Sequence, residues 1–234
     1  MTDQIGEGQT SLPYAAPEMG FGKKAVYGWG WDPRAILRWG QMQALAVIEM
    51  LKAVEQRYGA EGQQVCIDAI REVGRRIGKA AEEDIQKEMP EGLSDREKQR
   101  FRISYWNRNI YANPDLWTIV SDDEYYFDVL WCPHQDIYSA RDCRVQRYFV
   151  EGLGLGARDA GGFSGGEPAE PGFQVTIPKI IPHGDEVCRF HFRRVKEGEE
   201  VETWSDYSRR LAERELREVS GGERERIAEK EQHG

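Results

Sequence analysis

Long apolar runs are missing from this 234-residue chain. No stretch approaches the roughly 18–20 residues that a membrane-crossing helix needs, so no membrane partner is expected. Cysteine is scarce. The four present, Cys66, Cys132, Cys143 and Cys188, lie far apart without a CxxC pair. That excludes a disulfide scaffold and points to reduced thiols. Phosphate-cradling motifs are absent too: "GLGLGARDAGG" has neither the GxGxxG spacing nor the Lys-Ser/Thr of a Walker loop. No GxSxG marks a serine nucleophile. No segment is uniformly basic and the net charge is −9, which argues against a nucleic-acid partner. The first residues lack a charged segment followed by an apolar run, so the expectation is a cytoplasmic protein.

What is present suits a well-filled core. Seven tryptophans and ten tyrosines offset a hydrophobic share of only 39%, and 31% of residues are charged. Residues 1–31 mix glycine, proline and aromatics without a period and read as an extended arm. Asp32 and Pro33 suit a helix start, and apolar residues then recur at threes and fours up to Tyr58-Gly59. A second helix is expected over 61–87. A third, opened by a Ser94–Glu97 capping box, should run to Asn109.

The period then changes. Residues 117–120 and 125–132 alternate as a β-hairpin about Ser121–Glu124, with Pro133 ending the second strand. A helix over 140–153 and a mobile Gly/Pro-rich loop over 154–172 should follow, the latter a flexible lid. A second hairpin, 173–180 with 187–195, turns about Pro182–Asp185, and a charged helix occupies 205–234. The expected fold class is α+β: N-terminal helices packed with a small antiparallel β-sheet, an inserted helix and a C-terminal tail helix. The expected division is an arm at 1–31, one α+β domain at 32–204 and the tail helix at 205–234.

The chemistry gathers in two places. "LWCPHQD" sets Cys132 two positions before His134, where an imidazole can activate a thiol; packing is the plain alternative. "IIPHGDEVCRFHFR" holds His183, Asp185 and Cys188. Strand alternation turns Cys188, Phe190 and Phe192 to one face and Arg189, His191 and Arg193 to the other, so His191 reads as a surface residue. Asp185 can orient His183, although "PHGD" is also ordinary turn chemistry. Cys66 reads as core, and Cys143 sits on the inserted helix. The Cys and His spacings match no common zinc module, so no metal and no cofactor are expected. Arg141, Arg144 and Arg147 can hold a substrate carboxylate or pair with the chain's many acids. Trp106, Trp117, Tyr125, Tyr126 and Trp131 suit either a binding cage or a core.

This order of features resembles the L-2-amino-thiazoline-4-carboxylic acid hydrolase family over roughly residues 35–195. The family's closing signature, a Gly-Asp, a Cys shortly after and an aromatic strand, corresponds to Gly184-Asp185, Cys188 and Phe190. Cys132 corresponds to its strand-end Cys and Cys143 to its helix Cys. The Asp that follows the helix Cys by three in the family is Gln146 here. The resemblance implies hydrolytic opening of a small heterocycle at a C=N carbon bearing heteroatoms. Such chemistry needs a nucleophile, a proton donor for the ring nitrogen and a donor for the developing charge. Cys132 as nucleophile, His134 or His183 as acid/base and Asp185 as orienting group meet these needs, with Trp131, Cys143, Arg144 and Cys188 as substrate contacts. A small-molecule substrate and a homo-oligomer are the expected partners. The same outline also resembles vinyl-reductase-like modules, which bind small apolar molecules without turnover.

Overall fold

The structure, a computed structural model, describes residues 33–162 and 173–233, with side chains described as far as Arg217 and Glu218. The expected arm, the Asp32 cap and residues 163–172 of the expected lid lie outside the described residues. The elements run α1 (Pro33–Glu88), α2 (Asp95–Asn109), β1 (Asp115–Ser121), β2 (Glu124–Val129), α3 (Arg144–Asp159), β3 (Phe173–Lys179), β4 (Cys188–Arg194) and α4 (Trp204–His233). This is an α+β architecture.

Each element follows from local chemistry. The two helices expected on either side of Gly59 are the two halves of α1, broken where Gly59 takes φ +62° and ψ −141°, a conformation only glycine adopts freely. The chain turns back sharply there. A Cβ on Gly62 would lie 2.8 Å from Val54 Cγ1, a separation eight residues of straight helix cannot give. The Ser94–Glu97 capping box is formed in both directions, and α2 ends at Asn109 as expected. The four strands order as β1-β2-β4-β3, all antiparallel, and Tyr125, Phe127 and Val129 face Phe192, Phe190 and Cys188 across the central pair.

The sheet's two faces differ in kind. On one, Tyr125 and Phe192 stack at 4.9 Å and Phe127 and Phe190 at 4.7 Å, with Ile103 of α2 packed against them. On the other, Arg189 forks onto Asp128 with both contacts at 2.7 Å, and His191 meets Glu124 at 2.9 Å. His191 therefore lies on the polar face, as alternation predicts.

The inserted helix departs from expectation at both ends. Residues 133–137 and 140–143 form turns, and α3 begins only at Arg144. It then continues to Asp159, through the glycines expected to leave it. Those glycines are packing surfaces. Gly152 and Gly156 of α3 meet Gly74 and Gly78 of α1 backbone to backbone. A Cβ on Gly152 would lie 2.8 Å from Gly74 Cα, and one on Gly156 2.6 Å from Lys79 N. Small residues four apart on both helices allow this approach. The helical tendency lost at each glycine is offset by contacts that only a bare backbone permits.

Buried ion pairs fix the helices further. Arg144, fully buried, donates to both carboxylate oxygens of Glu55, the second at 2.8 Å; Gln63 donates to Glu55 at 2.6 Å and to the Ala212 carbonyl of α4 at 3.0 Å. Arg102 of α2 holds Glu82 of α1 through Nε at 2.9 and 3.0 Å. Removing one partner of such a pair strands a buried charge, which costs about 3–5 kcal/mol.

The glycine crossing makes opposite predictions for two helical glycines. Gly152→Ala should lower unfolding free energy in urea by about 1–3 kcal/mol, because the methyl meets backbone that cannot move aside. Gly40, with no described atom within 4 Å of its built Cβ, should gain about 0.5–1 kcal/mol on replacement by Ala. A neutral or stabilising Gly152→Ala would mean the helices do not meet there.

Candidate active site

The apolar face of the sheet does not close onto the helices. A cavity of about 630 Å³ remains between it, α2, the first turns of α3 and α4, and the segment joining β2 to α3. Its walls are mostly aromatic and aliphatic, with Phe127, Phe190 and Phe192 from the sheet, Trp106 from α2, Val150 from α3 and Trp204 from α4.

The β2–α3 segment brings in the first chemical groups. The strand ends at Val129, three residues before Cys132, so Cys132 sits in a turn and not at a strand end as expected. That turn is tied internally by Gln135 N to Cys132 O (3.1 Å) and Tyr138 N to His134 O (2.9 Å), and to α1 by Gln41 Nε2 to Pro133 O (3.0 Å). Asp142 braces its far end, accepting from Ser139 N at 2.9 Å and pairing with Lys52 at 3.1 Å. Burial works against the Asp142 carboxylate, but Ser139 and Lys52 outweigh it and hold its pKa below the usual range.

Five of the expected residues line the cavity: Cys132, His134, Cys143, His183 and Cys188. Cys143 precedes the first residue of α3, His183 ends a short 3-10 turn (Ile181–His183), and Cys188 opens β4. Burial pushes all three cavity thiols up. For Cys132 the backbone N–H groups of His134 and Gln135 oppose the shift without cancelling it. Cys143 is pushed to about 12 by burial, with Cys132 and Cys188 near enough to add to it. Cys188 is pushed to about 11 by burial, against a 3.2 Å hydrogen bond from Ile181 N. Burial lowers His134, whose ring stacks on Tyr138 at 4.6 Å, so its imidazole is neutral at pH 7.

Three expected residues are elsewhere. Asp185 does not line the cavity. Its carboxylate accepts from Ile180 N at 2.7 Å, and no hydrogen bond joins it to His183 among the described residues. Arg144 is locked onto Glu55 outside the cavity, and Trp131 is partly exposed outside it. Cys66 packs against the Ile48–Leu51 cluster. Among the described residues no group of three His, Cys, Asp or Glu side chains is arranged to hold a metal ion, and no helix is long and apolar enough to cross a membrane.

Other lining residues drew no attention in the sequence. Trp204, Tyr207, Leu211 and Arg214 come from α4, which begins beside the expected boundary at 204/205. Arg147 of α3, one of the three arginines expected either to hold a substrate carboxylate or to pair with acids, also lines the cavity. It is only 5% exposed, with its guanidinium 4.5 Å from the Trp204 ring centre and 3.9 Å from that of Tyr207. The spacing of Trp204, Tyr207, Leu211 and Arg214, at threes and fours, was the available signal for this face.

Fold and site together define an α+β protein whose antiparallel sheet and helices surround a cavity bearing thiol and imidazole groups. The chain belongs to the L-2-amino-thiazoline-4-carboxylic acid hydrolase family, whose model matches residues 39–192. An uncharacterized protein of Archaeoglobus fulgidus is 41% identical to it over 181 residues, covering 77% of this chain and 78% of the relative. The solved structure of a trafficking protein particle complex subunit 3 from Naegleria fowleri, covalently bound to palmitic acid, is a distant likeness. It covers 68% of this chain and 97% of its own, with a TM-score of 0.38 and 13% identity.

The upward shifts predict slow thiol chemistry in the folded state. Raised pKa values leave little thiolate at pH 7, so iodoacetamide labelling of Cys132, Cys143 and Cys188 should be slow there and accelerate above about pH 9. Unfolding should restore ordinary reactivity. Peptide mass mapping after timed labelling checks this; a cavity thiol that reacts at pH 7 as fast folded as unfolded would contradict it.

Proposed function

We propose that the protein is a hydrolase that opens a small nitrogen-containing heterocycle of the cyclic amidine or thiazoline type. The observation that carries this reading is the convergence in one cavity of two imidazoles and three thiols from separate segments, with His134 held neutral by burial. Membership of a hydrolase family supports it.

In this reading a water adds to the C=N carbon while neutral His134 takes its proton. The ring nitrogen gains a proton as the tetrahedral intermediate forms, and a ring bond from that carbon breaks. As the intermediate collapses to a carbonyl its hydroxyl gives up a proton and the departing heteroatom takes one up, so one water is consumed and no other reactant is needed. Protonated His134 returns the water's proton to the ring nitrogen, and His183, which lines the same cavity in the turn before β4, is the second imidazole available to carry the later transfer. Activated water is preferred to Cys132 as the nucleophile, because every cavity thiol is shifted away from thiolate and His134 stacks on Tyr138. Cys132 remains the nucleophile of the alternative route.

A second reading, a small-molecule-binding module without turnover, is favoured by the cavity's volume and by its largely apolar wall.

The test is turnover of 2-amino-thiazoline-4-carboxylate and a panel of cyclic amidines, followed as the mass gain of one water. His134→Gln should lower kcat by about 10²–10⁴, the usual worth of a general base. Cys132→Ala should keep most of the activity; its complete loss in Cys132→Ala would move the chemistry to the thiol. The pH profile has a defined sign. His134 titrates below its ordinary 6.5, so kcat/KM should be level near pH 7 and fall only as the pH drops under 6.5. Saturable binding of a panel member with no product from any of them would favour the binding module.

A further inference from the structure

An acidic chain encloses a basic cavity. The chain's net charge is −9, yet among the described residues no aspartate or glutamate lines the cavity, while Arg141, Arg147 and Arg214 do. The three arginines are not equivalent. Arg141 and Arg214, both substantially exposed, share a single carboxylate, that of Glu218. Arg147 is buried, and among the described residues no carboxylate pairs with it. The acids nearest it are engaged elsewhere: Glu151 with Arg71 at 2.5 Å and Glu202 with Arg210 at 2.9 Å.

Burying a guanidinium without a paired counter-charge costs several kcal/mol, and the faces of two aromatic rings, with Glu151 and Glu202 farther off, offset part of it here. The burden shows in Arg147 itself, pushed down to about 10 by burial. It remains fully protonated at neutral pH. Trp204 is fixed as one side of this clamp by its indole N–H, which donates to the Arg147 carbonyl at 3.3 Å. The clamp thus orients a charged fork within an apolar chamber. Trp204 and Tyr207 lie beyond residue 192, where the family match ends.

The chamber's size adds a second constraint. Clefts of 300–1,000 Å³ suit drug-sized ligands, and a single five-membered ring would leave most of 630 Å³ unfilled. We propose that the cavity takes an organic monoanion with a bulky apolar body, its carboxylate on Arg147 and its body along the Phe127, Phe190 and Phe192 wall. This rests on the reading of the cavity as the ligand site and names the class of ligand. Arg147 is then the specificity-determining residue, pairing bidentately with the anion that the fold does not supply.

Calorimetric titration of the full chain tests charge and size separately. 2-Naphthoate should bind about 10–100-fold more tightly than uncharged 2-naphthamide, as expected for charge-assisted hydrogen bonds in a dry site. Across benzoate, 2-naphthoate and 1-pyrenecarboxylate, affinity should rise with apolar area. In Arg147→Met the naphthoate preference should vanish while naphthamide binding persists. Wild-type protein alone can overturn the proposal, should that variant fail to fold. Equal affinity for naphthoate and naphthamide would refute the anion site, and benzoate binding as tightly as the larger acids would refute the bulky body. Anion preference without turnover of any cyclic amidine would uphold this inference and sink the hydrolase. Turnover with no anion preference would do the reverse.

Discussion

Backbone meets backbone where Gly74 and Gly78 of α1 cross Gly152 and Gly156 of α3, and the position of the cavity depends on that contact. Any side chain at the crossing would push α3 outward. With it would go Cys143, at the head of the helix, and Arg147, one turn in. Arg144 adds a second constraint from the same turn by locking onto Glu55. Gln63 extends that lock to α4 through the Ala212 carbonyl, so the helix supplying Trp204 and Tyr207 is referenced to the same buried carboxylate.

This arrangement sorts the cavity's groups by what they can do. Burial that hydrogen bonds do not fully offset moves each group toward its neutral form. Thiols therefore stay protonated, His134 stays unprotonated, and Arg147, whose ordinary pKa is so high, is the group that keeps its charge. The cavity thus offers a neutral base and a fixed cation a short distance from an apolar wall. In the proposed hydrolysis, bond-making at a C=N carbon would use the first, and holding an anionic substrate would use the second.

Much of this was legible where the signal is local. The Ser94–Glu97 box, the break at Gly59 and the division of Cys188 from His191 by strand alternation all need only neighbouring residues, and the structure has all three. The misreadings share a different cause. "GLGLGARD" reads as a loop by propensity, and only a partner helix with glycines at the same spacing makes it helical. Cys132 reads as the end of a strand in the sequence, but pairing with β1 and β4 stops at Val129. Among the arginines, sequence could not say which lacked a partner. Arg144 finds Glu55 89 residues away, and Arg141 finds Glu218 at the far end of the chain. Pairing at such separation is a property of the fold.

The glycine crossing has a further, entropic consequence. Packing an ordinary helix pair freezes the rotamers of the side chains between them, at a cost of up to about 2 kcal/mol for each long side chain. Glycines have no rotamers to lose, so these four positions of the junction order at the cost of backbone freedom alone. The seat of α3, which carries Arg147 and Val150 into the cavity wall, is consequently set before any ligand arrives. Affinity gained against the long arginine and aromatic side chains of α4 need not be spent on organising the helix beside them.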